Sequence, residues 1–207
     1  MDDGSDAAVE RYVALGDSYT IGEGVEVAES WPALLTAHLR RQGIAIDLVA
    51  NPSVTGWTTE QLIAEELPVF EASRPTFATL LIGVNDWVRG VSVPDFADRL
   101  AAIVGRVQAA LPDPRKLLLV TIPDFSVTPE AQRYARGRDI AREIAGFNDV
   151  VRATADRAVV PVVDIFPLSQ RLTGKEYLAA DDLHPSAAAY ERWEQLIFPV
   201  ALDLLSQ

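Results

Sequence analysis

The stretch Arg11-Tyr12-Val13-Ala14-Leu15-Gly16-Asp17-Ser18 decides the fold. An apolar run of strand length ends on a glycine and opens into a polar turn that carries a hydroxyl. Four further runs of this kind follow, at residues 44–50, 77–83, 116–122 and 158–165. Several are continuous in Val, Ile and Leu, as in strands buried on both faces. Between them lie amphipathic stretches of helical length at 31–42, 58–73, 94–110, 129–157 and 185–206. In the first of these, Leu34, Leu35 and Leu39 share one face, and Arg40 and Arg41 turn towards the other. Strands alternating with helices imply parallel βαβ units, hence an α/β protein with helices on both faces of a five-stranded, doubly wound, flavodoxin-like sheet. In such sheets ligands bind at the carboxyl ends of the strands, so chemistry belongs just after each strand.

Composition narrows the classes. The 207 residues contain 18 Lys and Arg against 30 Asp and Glu, a net charge of −12, with two histidines and no cysteine. The missing cysteines exclude disulfides, thiolate nucleophiles and cysteine-based metal sites. The negative balance argues against nucleic-acid partners, which need clustered Lys and Arg. The longest apolar stretches are far shorter than a membrane span, and neither a signal peptide nor an internal repeat is legible. The expected location is cytoplasmic for a full-length chain, and secreted or periplasmic for a processed one. Residues 1–30 carry eight acids (Asp2, Asp3, Asp6, Glu10, Asp17, Glu23, Glu26 and Glu29) against Arg11 alone, more than half of the net charge. Residues 1–10 read as an acidic N-terminal tail and residues 11–207 as one domain.

The turn after each strand can then be taken in order. Gly16-Asp17-Ser18 allows a tight exit and stands Ser18 at the start of a helical turn, where backbone N–H groups face a developing anion. A simple Ser/Asp turn cap is the competing reading. The segment is not a G-x-S-x-G elbow, because Thr20 takes the last glycine position, and Gly16, Gly22 and Gly24 are wrongly spaced for a dinucleotide fingerprint. After the second strand, Gly56 precedes a helix cap at Thr58 or Thr59 and can bring a bare N–H to a ligand. After the third, Asn85-Asp86 is either an Asx turn or the mount for an amide donor aimed at an oxyanion. The loop at 123–129 offers no chemistry and shapes a wall. In Asp181-Asp182-Leu183-His184-Pro185, the proline pushes His184 out of the helical region. An acid three residues earlier can accept its Nδ1–H, fixing the tautomer and stabilising the imidazolium. His38 lies mid-helix with no acid at i±3 or i±4 and reads as structural. No two histidines stand at i and i+4, which argues against a histidine-based zinc site, and neither metal nor cofactor is expected.

Four turns at one sheet edge thus supply a hydroxyl, a base with its carboxylate and three oxyanion donors, the parts needed for acyl transfer by nucleophilic catalysis. In this order Gly16-Asp17-Ser18, Gly56, Gly83-x-Asn85-Asp86 and Asp181-x-x-His184-Pro185 resemble the four blocks of the SGNH (GDSL) hydrolases, over about 170 residues. The resemblance implies a three-layer α/β/α fold with strand order 2-1-3-4-5 and hydrolysis of small to medium carboxylic esters or thioesters. It implies Ser18 as nucleophile, Asp181 and His184 completing the triad, and an oxyanion hole of the Ser18 N–H, the Gly56 N–H and the Asn85 side chain. Ser30-Trp31-Pro32-Ala33-Leu34-Leu35 and Asn85-Asp86-x-x-Arg89-Gly90 are similar to the lysophospholipase/thioesterase type of bacterial member. Asp17, Trp57 and Trp87 are expected to touch substrate, with Trp57 narrowing the acyl site where the family often has a smaller or acidic residue. A lysophospholipase, an acyl thioesterase and a carbohydrate O-acetylesterase all fit one triad. Outside this class stand a carbohydrate- or phosphate-binding module on the same fold, and a glycosidase using Asp17 and Asp181. Oligomeric state is not legible.

Overall fold

A computed structural model describes residues 9–206. The acids at positions 2, 3 and 6 of the expected tail lie outside the described residues. Glu10, placed at the end of that tail, instead opens strand β1 (Glu10–Gly16), where its carboxylate is 2.5 Å from Lys116 Nζ and also accepts the Thr76 hydroxyl.

The other strands are β2 (Ile46–Ala50), β3 (Phe77–Leu81), β4 (Leu117–Val120) and β5 (Val162–Val163). All pair in parallel, in the order β2-β1-β3-β4-β5. The central runs are covered from both sides: Tyr12 to Gly16, all of β3 and all of β4 are buried, with each such aliphatic side chain contributing roughly 1.5–3 kcal/mol on leaving water.

The helices that matter for the site are α1 (Ser18–Ile21), α2 (Trp31–Arg41), α3 (Thr59–Gln61), α4 (Leu67–Ala72), α5 (Val84–Arg89) and α6 (Val93–Ala110). They are followed by α7 (Gln132–Ala135), α8 (Ile140–Ala158), α9 (Phe166–Ser169) and α10 (Ala187–Leu205). α2 packs on α10, and α6 packs on α4 and α8, which gives the two helical layers.

Three expected elements differ. The helix at 129–157 is broken, because Arg136 and Gly137 take positive φ (48° and 80°) between α7 and α8. The run at 158–165 yields only the two residues of β5, since α8 extends to Ala158 and Val159 ends it at φ 55°. The helix at 58–73 is split into α3 and α4 by a π-helical turn, Leu62–Glu66, in which hydrogen bonds close one residue wider than in an α-helix.

Candidate active site

Ser18 is the first residue of α1, directly beyond β1. Asp17 caps the helix, its Oδ1 accepting the Tyr19 N–H at 3.1 Å, and Gly22 closes the turn at φ 86°. Gly16 is required by crowding: a Cβ there would lie 2.2 Å from Thr20 Oγ1 and 2.3 Å from Leu81 O. The N–H groups of Tyr19, Thr20 and Ile21 are all taken by Asp17, through Oδ1 or the main-chain carbonyl, so the Ser18 N–H, which has no acceptor within α1, is the one left to meet an anion.

His184 is fixed by its own turn. Asp181 Oδ1 accepts the N–H groups of Leu183 (3.0 Å) and His184 (2.9 Å), which leaves Oδ2 at 2.5 Å from His184 Nδ1. His184 O accepts the Ala179 N–H at 2.8 Å, and Pro185 bridges to Leu178. Pro185 precedes the cap Ser186 rather than entering α10 itself. Partial burial works against ionisation of Asp181, yet the His184 side chain, the two N–H groups and the imidazolium charge outweigh it and hold the carboxyl below its ordinary range. A carboxylate so held stays charged beside the ring and stabilises the protonated imidazole.

The oxyanion candidates converge from two loops. Gly56 has φ 83°, a conformation that favours glycine, and nothing stands within 4 Å of where its Cβ would be. Its carbonyl accepts Arg89 Nη2 at 2.8 Å, which ties the Gly56 loop to the end of α5. Asn85, in the first turn of α5, donates through Nδ2 to Trp57 O at 3.0 Å. That bond sets the amide orientation and leaves the second proton only a long 3.5 Å approach to Asp17 Oδ2, so it remains available to an oxyanion. Asp86 behind it accepts the Thr59 N–H (2.9 Å) and hydroxyl (2.5 Å), locking α5 to α3.

Ser18, Gly56, Asn85 and His184 all line one open cleft. Its apolar wall is made by Val84, Val88, Phe125, Tyr134 and Leu183, so the loop after β4 shapes a wall, as expected, through Phe125. Hydroxyl, imidazole–carboxylate pair, N–H donors and amide therefore share one surface.

The three residues expected to touch substrate do not line it with their side chains. Trp87 is buried: its Nε1 donates to Glu143 at 2.8 Å, and Arg138 lies 3.7 Å over its ring. α5 turns Val84 and Val88, four residues apart, to the cleft, and this rotates Trp87 into the core. Asp17 is wholly buried behind Ser18, and burial, reinforced by the Asp86 charge against the opposing Tyr19 N–H, pushes its carboxyl up to about 7. Trp57 contributes its carbonyl to Asn85. His38 stays structural, as expected, but it does have a carboxylate partner, from a distant segment: Glu194 of α10, with Oε1 2.9 Å from Nδ1. Glu194 carried no local spacing signal, and although Asp86 and Arg89 stood in quoted motifs, their contacts with Thr59 and Gly56 were not legible, because each partner comes from a distant segment.

Residues 14–192 match the model of the GDSL-like lipase/acylhydrolase family. The chain is 25% identical over 203 residues to Esterase TesA of Pseudomonas aeruginosa, covering 96% of this chain and 91% of that protein. It is 25% identical over 183 residues to Thioesterase 1/protease 1/lysophospholipase L1 of Escherichia coli, covering 88% of this chain and 79% of the relative. The fold is also that of a Clostridium thermocellum family 3 carbohydrate esterase, with a TM-score of 0.76, 20% identity, and 96% and 98% of the two chains covered.

Proposed function

The chain belongs to the GDSL-like lipase/acylhydrolase family, and from that premise we propose that Ser18, His184 and Asp181 hydrolyse uncharged esters of small to medium acyl groups through an acyl-enzyme. The protein is a carboxylic ester hydrolase. One observation carries the residue roles: the 2.5 Å His184–Asp181 pair opens onto the same cleft as Ser18, Gly56 and Asn85.

His184 Nε2 takes the Ser18 proton as Oγ bonds to the carbonyl carbon. The carbonyl oxygen becomes an oxyanion held by the Ser18 and Gly56 N–H groups and the free Asn85 proton, donors oriented in advance. Collapse breaks the ester bond, and the proton on His184 leaves with the alcohol or thiol. Water then gives a proton to His184 and attacks the acyl-enzyme; the second collapse frees the acid and returns the proton to Ser18.

The open cleft and the short apolar wall of Val84 and Val88 favour a short or medium acyl chain. Glu23, whose carboxylate accepts the hydroxyl of the cleft residue Thr55 at 2.5 Å, sets negative charge at the rim and disfavours polyanionic substrates such as acyl-CoA.

Ser18→Ala is expected to abolish p-nitrophenyl acetate hydrolysis and fluorophosphonate labelling while leaving thermal unfolding unchanged. Wild-type turnover in that variant would overturn the nucleophile. A kcat/KM series from acetyl to dodecanoyl esters, with an acyl-CoA and an acetylated sugar beside it, reads the substrate class. A preference for acyl-CoA at low salt would overturn the preference for uncharged esters.

A further inference from the structure

β1 outruns its neighbour on one side. Val13 is the last residue to pair with β2, at Ala50, whereas pairing with β3 continues to Gly16 and Leu81. On the side that β2 has vacated, the Gly16 N–H donates instead to Glu66 Oε2 at 3.0 Å. Glu66 reaches this point because it ends the π-helical turn Leu62–Glu66: of the two consecutive glutamates there, Glu65 is exposed and Glu66 is wholly buried. Its second oxygen, Oε1, has no hydrogen-bond partner among the described residues. Thr20 Oγ1, which crowds Gly16 from the other direction, is likewise unpartnered.

A buried carboxylate with one N–H contact lacks the donors that would hold its charge, so the neutral acid is the favoured species. The charges around it agree. Asp17, the cap of α1, is the carboxyl that faces it, and its ionised form repels an ionised Glu66. From α6, Arg106 is engaged with Glu71 (2.7 Å), while Arg99 leans towards Asp86 (3.8 Å) and Glu60 (3.9 Å). Among the described residues no ion pair includes Glu66.

We propose that Glu66 is a positioning residue for the ester hydrolysis: as a neutral acid it stands in for the missing strand, holds the Gly16 N–H, and fixes the exit on which Asp17 and Ser18 ride. Ionisation puts a second buried charge beside Asp17, loosens that exit and lowers turnover. Burial, with the Asp17 charge adding to it and the Gly16 N–H opposing, pushes the Glu66 carboxyl up to about 8, so the loss falls in the mildly alkaline range. The proposal rests on Ser18 being the nucleophile.

The test compares wild type, Glu66→Gln and Glu66→Leu in kcat and KM for p-nitrophenyl acetate from neutral to alkaline pH, with thermal unfolding measured at each pH. Glutamine keeps an acceptor for Gly16 and cannot ionise. Wild-type kcat is expected to fall several-fold as pH rises through about 8, with KM little changed. Glu66→Gln is expected to keep neutral-pH kcat within about twofold and to lose the alkaline fall. Glu66→Leu is expected to lose about tenfold in kcat at unchanged KM, the scale of one buried hydrogen bond. An unchanged alkaline fall in Glu66→Gln, its collapse to the level of Glu66→Leu, or wild-type kcat in folded Glu66→Leu would each overturn the proposal. Should Glu66→Leu not fold, the Glu66→Gln profile decides. Fluorophosphonate labelling and the Ser18→Ala variant report on the nucleophile separately, so the two readings fail independently.

Discussion

His184 with Asp181 and His38 with Glu194 are built from the same two functional groups, with Nδ1–oxygen separations of 2.5 and 2.9 Å. Their surroundings divide them. The first pair is local, three residues apart, in a turn where Asp181 also accepts the Leu183 and His184 N–H groups, and its ring opens onto a cleft shared with Ser18. The second is formed 156 residues apart, between α2 and α10, and its ring is stacked flat on Phe198 with centroids 3.5 Å apart. An imidazole–carboxylate pair is therefore not a catalytic device in itself. It becomes one when a hydroxyl and an approachable carbonyl site lie on the free side of the ring. The His38 pair has Phe198 on one face and joins two helices instead.

That contrast breaks if rate and stability fail to separate between the pairs. The largest effect is expected for His184→Ala, which removes the base and should cost ~10⁵–10⁶ in kcat, as in other serine hydrolases. Asp181→Asn should cost less, about 10⁴, because the ring survives while its tautomer is no longer enforced. Steady-state kinetics on p-nitrophenyl acetate would read both, and Asp181→Asn falling below His184→Ala would reverse the assigned roles. Asn85→Ala should cost ~10²–10³ in kcat, the usual loss for one oxyanion donor. Unchanged kcat in that variant would remove Asn85 from the hole. None of the three should shift unfolding as much as the rate, since the cleft is open.

The sequence showed most of this wherever the determinants were local. Buried parallel strands leave continuous apolar runs, so the sheet and its chemical edge could be read residue by residue. Asp181 and His184 share a turn whose geometry Pro185 restricts, so their pairing was legible as well. What escaped reading depended on rotation or distance. Trp87 resembled a cleft wall until the phase of α5 assigned that face to Val84 and Val88. Glu66 reaches Gly16 only because a helix widens by one residue, and a periodicity count at 3.6 does not register that. Gly137 was an available sign of the break between α7 and α8, whereas Glu194 gave no sign of meeting His38, since the contact depends on how two helices pack.

The same contrast sharpens to its smallest effects at the helix–helix pair. His38→Ala leaves the largely buried Glu194 without its partner and removes the stack on Phe198. Unfolding free energy should fall by about 1–3 kcal/mol, the range for a stranded buried polar group, with kcat unchanged. Glu194→Gln is the substitution matched to Asp181→Asn, a carboxylate replaced by an amide beside an imidazole Nδ1. The glutamine carbonyl still accepts from a neutral ring, and the stack is untouched, so stability should change by no more than about 0.5–1 kcal/mol. At His184 the same change removes the charge that, in the proposed mechanism, compensates the imidazolium, so a rate loss is expected. His38 forms no such cation during the reaction, so its rate effect should be nil. Denaturant unfolding and kcat measured on both amide variants together make the decision. If Glu194→Gln lowers kcat by more than about twofold at unchanged stability, the α2–α10 pair is coupled to the site and the separation drawn between the two histidines is wrong.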